Sequence, residues 1–293
     1  MRRRILLTLP VLVVVALIAT VAYAHRHWRN ATGEMQKRLY QSAAAQQPAR
    51  YRISELVGLP TPVQRYFLKV LSDGQPIIKR ARIIWKGEFN MGKPGADKWA
   101  ALTAEQDFVP AAPGFVWDAR IAMAPGIRVF VRDAFVGGAG SMRGKIMGLV
   151  TLVDSHDTTE IAVAALQRYL GEAVWFPTAL LPSQGVKWEA IDDSRARASV
   201  SGGGVSATLE FRFGADGLVA SAFAPERTFD DGKSAPAAHP WRARNLRYAE
   251  FSGFTVPADS TVEWLFATGP YAYWRGQPAK IEYEFATSHV ALP

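Results

Sequence analysis

The chain has 293 residues and no cysteine, which excludes disulfides and thiolate metal sites. Its net charge of +8 belongs to the N-terminal stretch: nine basic residues and one acid, Glu34, precede Ile53, while the 25 basic and 25 acidic residues that follow cancel. The folded part is therefore neutral overall, and the high isoelectric point is not a sign of nucleic-acid binding.

In chain order, Arg2, Arg3 and Arg4 come first, followed by Ile5 to Ala24 without a charge. As a helix this run spans about 30 Å, the hydrocarbon thickness of a bilayer. Arginines in front of an apolar span keep the N-terminus cytoplasmic and send the rest outward. Ala22-Tyr23-Ala24 fits a signal-peptide cleavage site, but the run is longer than the roughly 7–15 apolar residues of such signals. Residues 5–24 therefore read as a retained signal anchor, within an anchor segment 1–29. The domain faces the periplasm or the cell exterior; secretion after cleavage near Ala24 is the alternative. Trp28 and the neighbouring arginines read as interface anchors, and the polar, alanine-rich residues 30–52 read as a stalk or linker.

One globular domain, 53–293, should follow. Residues 62–71 predict a short amphipathic helix, with Thr61 as cap and Pro62 at the first helical position, packed on the core rather than on a membrane surface. Strand patterns follow at 77–89, 98–109, 115–123, 127–136 and 142–153, with turns rich in Gly and Pro. Residues 158–171 predict a helix, with Asp157 as N-cap, Glu160 completing a capping box and Gly171 as stop. Further strands are expected at 186–191, 195–201, 205–213, 218–225, 241–251, 261–268 and 279–285, with the longest loop at 230–240. A sheet of about a dozen strands should curl. The expected fold is mainly β: a strongly curved antiparallel sheet or half-barrel around one central helix, preceded by a transmembrane helix.

No nucleophile motif, zincin motif or phosphate loop is present, and no cofactor is implied. Gly202-Gly203-Gly204 lacks a following helix and reads as a hairpin turn. His25 and His27 form an H-x-H pair, but a metal site needs three or four arranged ligands, so they are assigned to the basic collar. His156, flanked by Asp154, Ser155 and Asp157, is the one candidate general base; the structural reading is a strand-to-helix turn. His239 and His289 lie near the loop and the C-terminus. The remaining signal is aromatic. Trp175, Phe176, Leu180 and Trp188 could line an apolar cavity with Arg168 and Glu172 at its mouth, while plain core packing is the competing reading for each.

Arg168-Tyr169-Leu170, Glu172-Ala173 and Trp175-Phe176-Pro177-Thr178-Ala179-Leu180-Leu181-Pro182 resemble the hallmark of an uncharacterised family of bacterial membrane-anchored proteins. Looser matches are Arg143-Gly144-Lys145, Val186 to Ala190, Pro240-Trp241, Tyr248, Gly253, Val256-Pro257 and Trp264. The resemblance implies no activity; its strand pattern is similar in architecture to periplasmic lipoprotein-carrier half-barrels. The functional expectation is non-enzymatic binding of a lipid or acyl chain, with Arg168, Tyr169, Glu172, Trp175, Phe176, Leu180 and Trp188 as ligand residues. A structural or protein-interaction module with a filled core is the alternative, and a hydrolase using His156 the third reading. The expected partners are the membrane, through residues 5–24, and that apolar ligand.

Overall fold

The computed structural model describes residues 2–44, 49–230 and 235–286, with side chains in the first helix from residue 12 onward. His289 lies outside these residues, as does part of the 230–240 loop.

Thirteen strands form one antiparallel sheet in the order β6-β5-β4-β3-β2-β1-β13-β12-β11-β10-β9-β8-β7. The first six are β1 Ile78–Asn90, β2 Trp99–Val109, β3 Gly114–Ala124, β4 Ile127–Val136, β5 Ala139–Ile146 and β6 Val150–His156. The rest are β7 Lys187–Asp192, β8 Arg195–Gly202, β9 Val205–Phe213, β10 Val219–Phe229, β11 Ala237–Phe251, β12 Phe254–Phe266 and β13 Gly269–Phe285. Each half is a meander of hairpins. The halves join where β1 meets β13, with Ile83 opposite Ile281. The expected strand 142–153 is two strands, because Met147 and Gly148 take positive φ and turn the chain. Strands β10 to β13 are longer than their sequence patterns suggest, since cross-strand pairing carries them through Pro225, Pro240, Pro257 and Pro270.

Twist closes the sheet on itself. The β4–β5 and β8–β9 turns are nine strand steps apart. At roughly 20–25° per step the sheet rotates through about a half turn between them. The two tips then touch: a Cβ built on Gly138 would lie 2.1 Å from the carbonyl oxygen of Gly203, and both residues have positive φ. The free edges are β6 and β7, and the chain between them runs through the hollow.

That crossing segment is helix α3, Thr159–Glu172, followed by three 3-10 turns, Ala173–Trp175, Pro177–Leu180 and Pro182–Gln184. Helix α3 packs against β3, β4, β5, β6, β8, β9 and β10. Its cap differs from expectation. Thr158 is the N-cap, its hydroxyl accepting from the Ile161 amide at 3.2 Å, while Asp157 takes φ +61° in the preceding turn. Gly171 does not stop the helix. It lies where a side chain would press on Leu209 and Trp241, 3.4 and 3.5 Å from a built Cβ. The concave core includes Tyr169, Phe176, Leu180, Phe108, Phe115 and Phe211. Helix α2, Thr61–Val70, buries Val63, Tyr66, Phe67 and Val70 in the same core. Its cap position is Pro60, so Thr61 already lies inside the helix.

The N-terminal segment differs most from expectation. Helix α1, Arg2–Gln41, is continuous, and residues 24–43 lie on the convex face of the sheet rather than forming a spacer. Leu39 and Ala43 bury Val109, Val116 and Ala134 in a second, smaller core. Trp28 is not an interface anchor: it is buried, donates to Asp118 Oδ1 at 2.9 Å and lies under the Arg132 guanidinium at 4.7 Å. Gln36 and Tyr40 donate to the buried Asp107 carboxylate at 2.8 and 2.6 Å. Composition suggested a solvated stalk because the docking face uses few apolar residues. Hydrogen bonds to Asp107 and Asp118 supply the rest of the contact. Among the described residues no helix is long and apolar enough to cross a membrane. Part of the expected span, residues 5–11, has side chains outside the described ones.

Candidate functional site

A cavity of about 190 Å³ lies between α3 and the concave face of the sheet. The helix contributes Ile161, Ala164, Ala165 and Arg168, one stripe at helical spacing. Trp117, Val131 and Met142 close one side; Phe229, Trp264, Tyr271 and Tyr273 close the other. The space exists because Ala164 and Ala165 put only methyl groups opposite large rings. A smaller space of about 60 Å³ adjoins it and shares Trp117, Arg168 and Tyr273. It also touches Glu172 and Trp175.

Two arginines reach the cavity in different electrostatic states. Arg168 donates to Asp133 Oδ2 at 2.6 Å and to Glu172 Oε1 at 2.9 Å. Its guanidinium lies 5.1 Å from the Phe115 ring centre and 4.8 Å from that of Trp117. Glu172 also accepts from Gln106 at 2.7 Å, and Gln106 accepts from Trp85 at 2.9 Å. Arg168 is thus held between two carboxylates, Asp133 and Glu172. Burial pushes the Glu172 carboxyl above its usual 4.5, against the opposing pull of Arg168 and Gln106.

Arg227 has no such partner. Its Nε donates to the carbonyl of Ala164 at 3.3 Å, and its guanidinium lies 5.0 and 5.2 Å from the rings of Trp241 and Trp264. Among the described residues it forms no ion pair, but two carboxylates, Asp133 and Asp230, line the same cavity. Burial lowers its affinity for its proton, with the nearby Arg168 adding to that effect and Tyr273, Asp133 and Glu172 opposing it.

A bulge puts Arg227 there. In β10, Ala224 pairs with Trp241 and Arg227 with His239, so two residues, Pro225 and Glu226, oppose Pro240 alone. Ala222 and Ala224 face the core. Without the bulge, alternation would send Glu226 inward and Arg227 outward. The Glu226 carbonyl accepts from Gln167 of α3 at 3.0 Å, which fixes the bulge against the helix. Pro225 was the available signal, since proline inside a strand marks an edge or a bulge; read as a strand end, it hid the site.

The residues expected to bind ligand divide into two groups. Arg168 lines both spaces, and Glu172 and Trp175 border the smaller one. Trp175 is nevertheless buried, with its indole donating to the Pro257 carbonyl at 2.9 Å and its ring 4.8 Å from that of Trp85. Tyr169, Phe176 and Leu180 are fully packed, with Phe176 4.4 Å from Phe108 and 5.7 Å from Tyr169. Trp188 packs on Phe211 at 5.2 Å and donates to the Leu180 carbonyl at 2.9 Å. The tryptophan–proline corner is pinned from elsewhere too. The Ile78 amide donates to Thr178 at 3.0 Å, and Tyr283 donates to the Trp175 carbonyl at 2.6 Å.

His156 is exposed at the end of β6, 2.6 Å from Asp157 and 3.7 Å from Asp154. The adjacent Ser155 is buried and donates to Asp230. Alternation places these two side chains on opposite faces of β6, so they are not paired as base and nucleophile. His25 and His27 likewise diverge, toward Phe130 and Tyr23. Among the described residues no cluster of three or more His, Asp or Glu is arranged to hold a metal.

Residues 57–283 match a family described as a family of unknown function, DUF6920. The chain belongs to that family. The matched region holds α3 and the sheet but for the last two residues of β13, whereas α1 precedes it. No curated protein matches the chain. Among solved structures it is similar to a β-barrel-like protein of domain of unknown function DUF1849 from Brucella abortus. The two share 10% identity over 71% of this chain and 99% of that one, with a TM-score of 0.21.

Proposed function

We propose that this DUF6920 member binds a small apolar ligand with an acidic group, without chemistry on it, in the cavity between α3 and the sheet. The observation that carries the reading is Arg227, a cation lining a largely aromatic cavity that forms no ion pair among the described residues, although Asp133 and Asp230 line the same space. A pocket that is apolar but for a few placed polar groups is the usual form of a ligand site. The volume limits the ligand. A cavity of about 150 Å³ holds benzene, so 190 Å³ takes an aromatic acid, a short acyl chain or one end of a longer lipid. Arg168, held between Asp133 and Glu172, shapes the wall rather than meeting the headgroup. Organic extraction of the purified protein followed by mass spectrometry tests this directly. A bound carboxylate or phosphate amphiphile is expected; an empty protein that also fails to take up fluorescent short-chain fatty acids contradicts it.

The same reading places the domain outside the cytoplasmic membrane, tethered by residues 5–24. It is supported by Leu12, Val13, Val14, Val15, Leu17 and Ile18, which are 54–63% exposed. An apolar helix with no protein cover is stable where lipid covers it. A second reading, a packed envelope interaction module, is favoured by the dense core around Tyr169, Phe176 and Leu180. It differs in expecting no ligand in the extract.

A further inference from the structure

We propose that the β3–β4 and β5–β6 hairpin tips form, with the start of the docked part of α1, a surface that rests on an anionic phospholipid bilayer. This rests on the tether reading of residues 5–24, and goes beyond it by giving the domain one fixed face toward the lipid.

The domain meets α1 at a definite level. A Cβ built on Gly148, in the β5–β6 turn, would lie 3.3 Å from the carbonyl of Ala24. At the next residue, the His25 ring lies 4.7 Å from that of Phe130 in β4. From residue 12 to residue 23 the helix is largely exposed and apolar; from Ala24 on it is docked. The two tips therefore lie where an apolar helix would leave a bilayer.

Their composition fits that level. Met123, Ile127, Leu149, Val150 and Leu152 are 40–58% exposed on these two hairpins. On a water-facing turn such side chains have no reason to cluster, and contiguous exposed apolar patches mark contact surfaces. The cations lie beside them. Residues 119–132 contain Arg120, Arg128 and Arg132 and no acid, and residues 143–153 contain Arg143 and Lys145 and no acid. Arg120 and Arg143 are paired with Asp118 and Asp154. Arg29 and Arg128 are exposed and form no ion pair among the described residues. They flank an open basin of about 530 Å³ bounded also by His25, Phe130 and Met147. Basic side chains around inserted apolar ones are the pattern that an anionic interface recognises. The bilayer is favoured over a second protein because the bare apolar helix leaves the domain at this same face.

The absence of cysteine allows single labels. The full chain is reconstituted into vesicles of phosphatidylcholine with phosphatidylglycerol, carrying an environment-sensitive fluorophore at Ile127→Cys, Leu149→Cys or Ala112→Cys. The last marks the opposite end of β3. Resistance to alkaline extraction reports the tether independently. Labels at 127 and 149 should shift to the blue and be quenched by lipid-borne quenchers, the label at 112 should stay aqueous, and Arg128→Glu should weaken the shift several-fold. Tip labels that stay aqueous while the chain resists extraction overturn the collar and leave the tether standing. Extraction with shifted tip labels overturns the tether and leaves the collar. A shift that follows protein density rather than phosphatidylglycerol content overturns the collar in favour of a protein contact.

Discussion

At the scale of single residues, the site turns on how buried charges are matched. Arg168 faces two carboxylates, Asp133 and Glu172, so removing the Glu172 charge still leaves a one-to-one buried pair with Asp133. Glu172 carries the pH dependence. Its folded carboxyl is raised by burial, so its contribution to stability is full below the ordinary value of 4.5 and is lost as pH rises through the folded value. Glu172→Gln removes that loss. Urea denaturation at a series of pH values should show the variant gaining on the wild type as pH rises above 4.5; parallel pH profiles would contradict the assignment. Trp175 belongs to packing whether or not a ligand binds beside it. Truncation to alanine should cost about 3–5 kcal/mol, as large-to-small core changes do. A loss below about 1 kcal/mol would mean that the corner is looser than its contacts with Trp85 and Pro257 imply.

At the scale of elements, two close approaches define the architecture. Helix α3 reaches β5 only because Gly140 has no side chain: a built Cβ would lie 2.6 Å from the Ile161 carbonyl and 2.7 Å from Ala162 Cα. Gly140→Val should therefore displace α3 from the sheet and lower the melting temperature sharply. Substitution at Gly95, whose built Cβ meets nothing within 4 Å but whose φ is +80°, isolates the cost of backbone strain. Equal losses at the two positions would refute the steric account. The second approach is α1 on the convex face. A chain beginning at residue 49 would uncover Val109, Val116 and Ala134 and leave Asp107 and Asp118 only their arginine neighbours, Arg82 and Arg120. It should be less stable by about 3 kcal/mol or more than a chain beginning at residue 25, since one buried Leu side chain alone is worth about 1.5–3 kcal/mol. Equal denaturation midpoints would show that the helix is a bystander.

At the scale of the molecule, the sheet was legible because period-two alternation in β3 and β4 and the glycine turns between strands act locally. Helix α3 was legible for the same reason, its apolar stripe being continuous. Three things were not. Pairing of β1 with β13 joins the ends of the domain and leaves no local trace. The docking of α1 depends on Gln36, Tyr40 and Trp28 meeting two distant aspartates, and polar side chains on a helix look solvated until their partners are placed. Arg227 was missed because its direction depends on one extra residue in β10, and a bulge changes the facing of every side chain beyond it. The tryptophan–proline corner stood out in sequence for its large rings, yet packing uses most of them. The cavity opens instead where small residues, Ala164 and Ala165, face the rings of other strands.

The central claim is that Arg227 makes this cavity select an acid group on an apolar body. Isothermal titration of the folded protein with hexanesulfonate and with hexanol, for the wild type and for Arg227→Gln, tests it most directly. The sulfonate stays ionised throughout, so its own protonation does not enter. The account predicts that the variant binds hexanesulfonate roughly ten- to a hundredfold more weakly, the loss of about 1.4–2.7 kcal/mol expected for one charge-assisted hydrogen bond, with hexanol unchanged. Equal affinity of wild type and variant for the sulfonate, or no binding of either compound by the wild type, would contradict it.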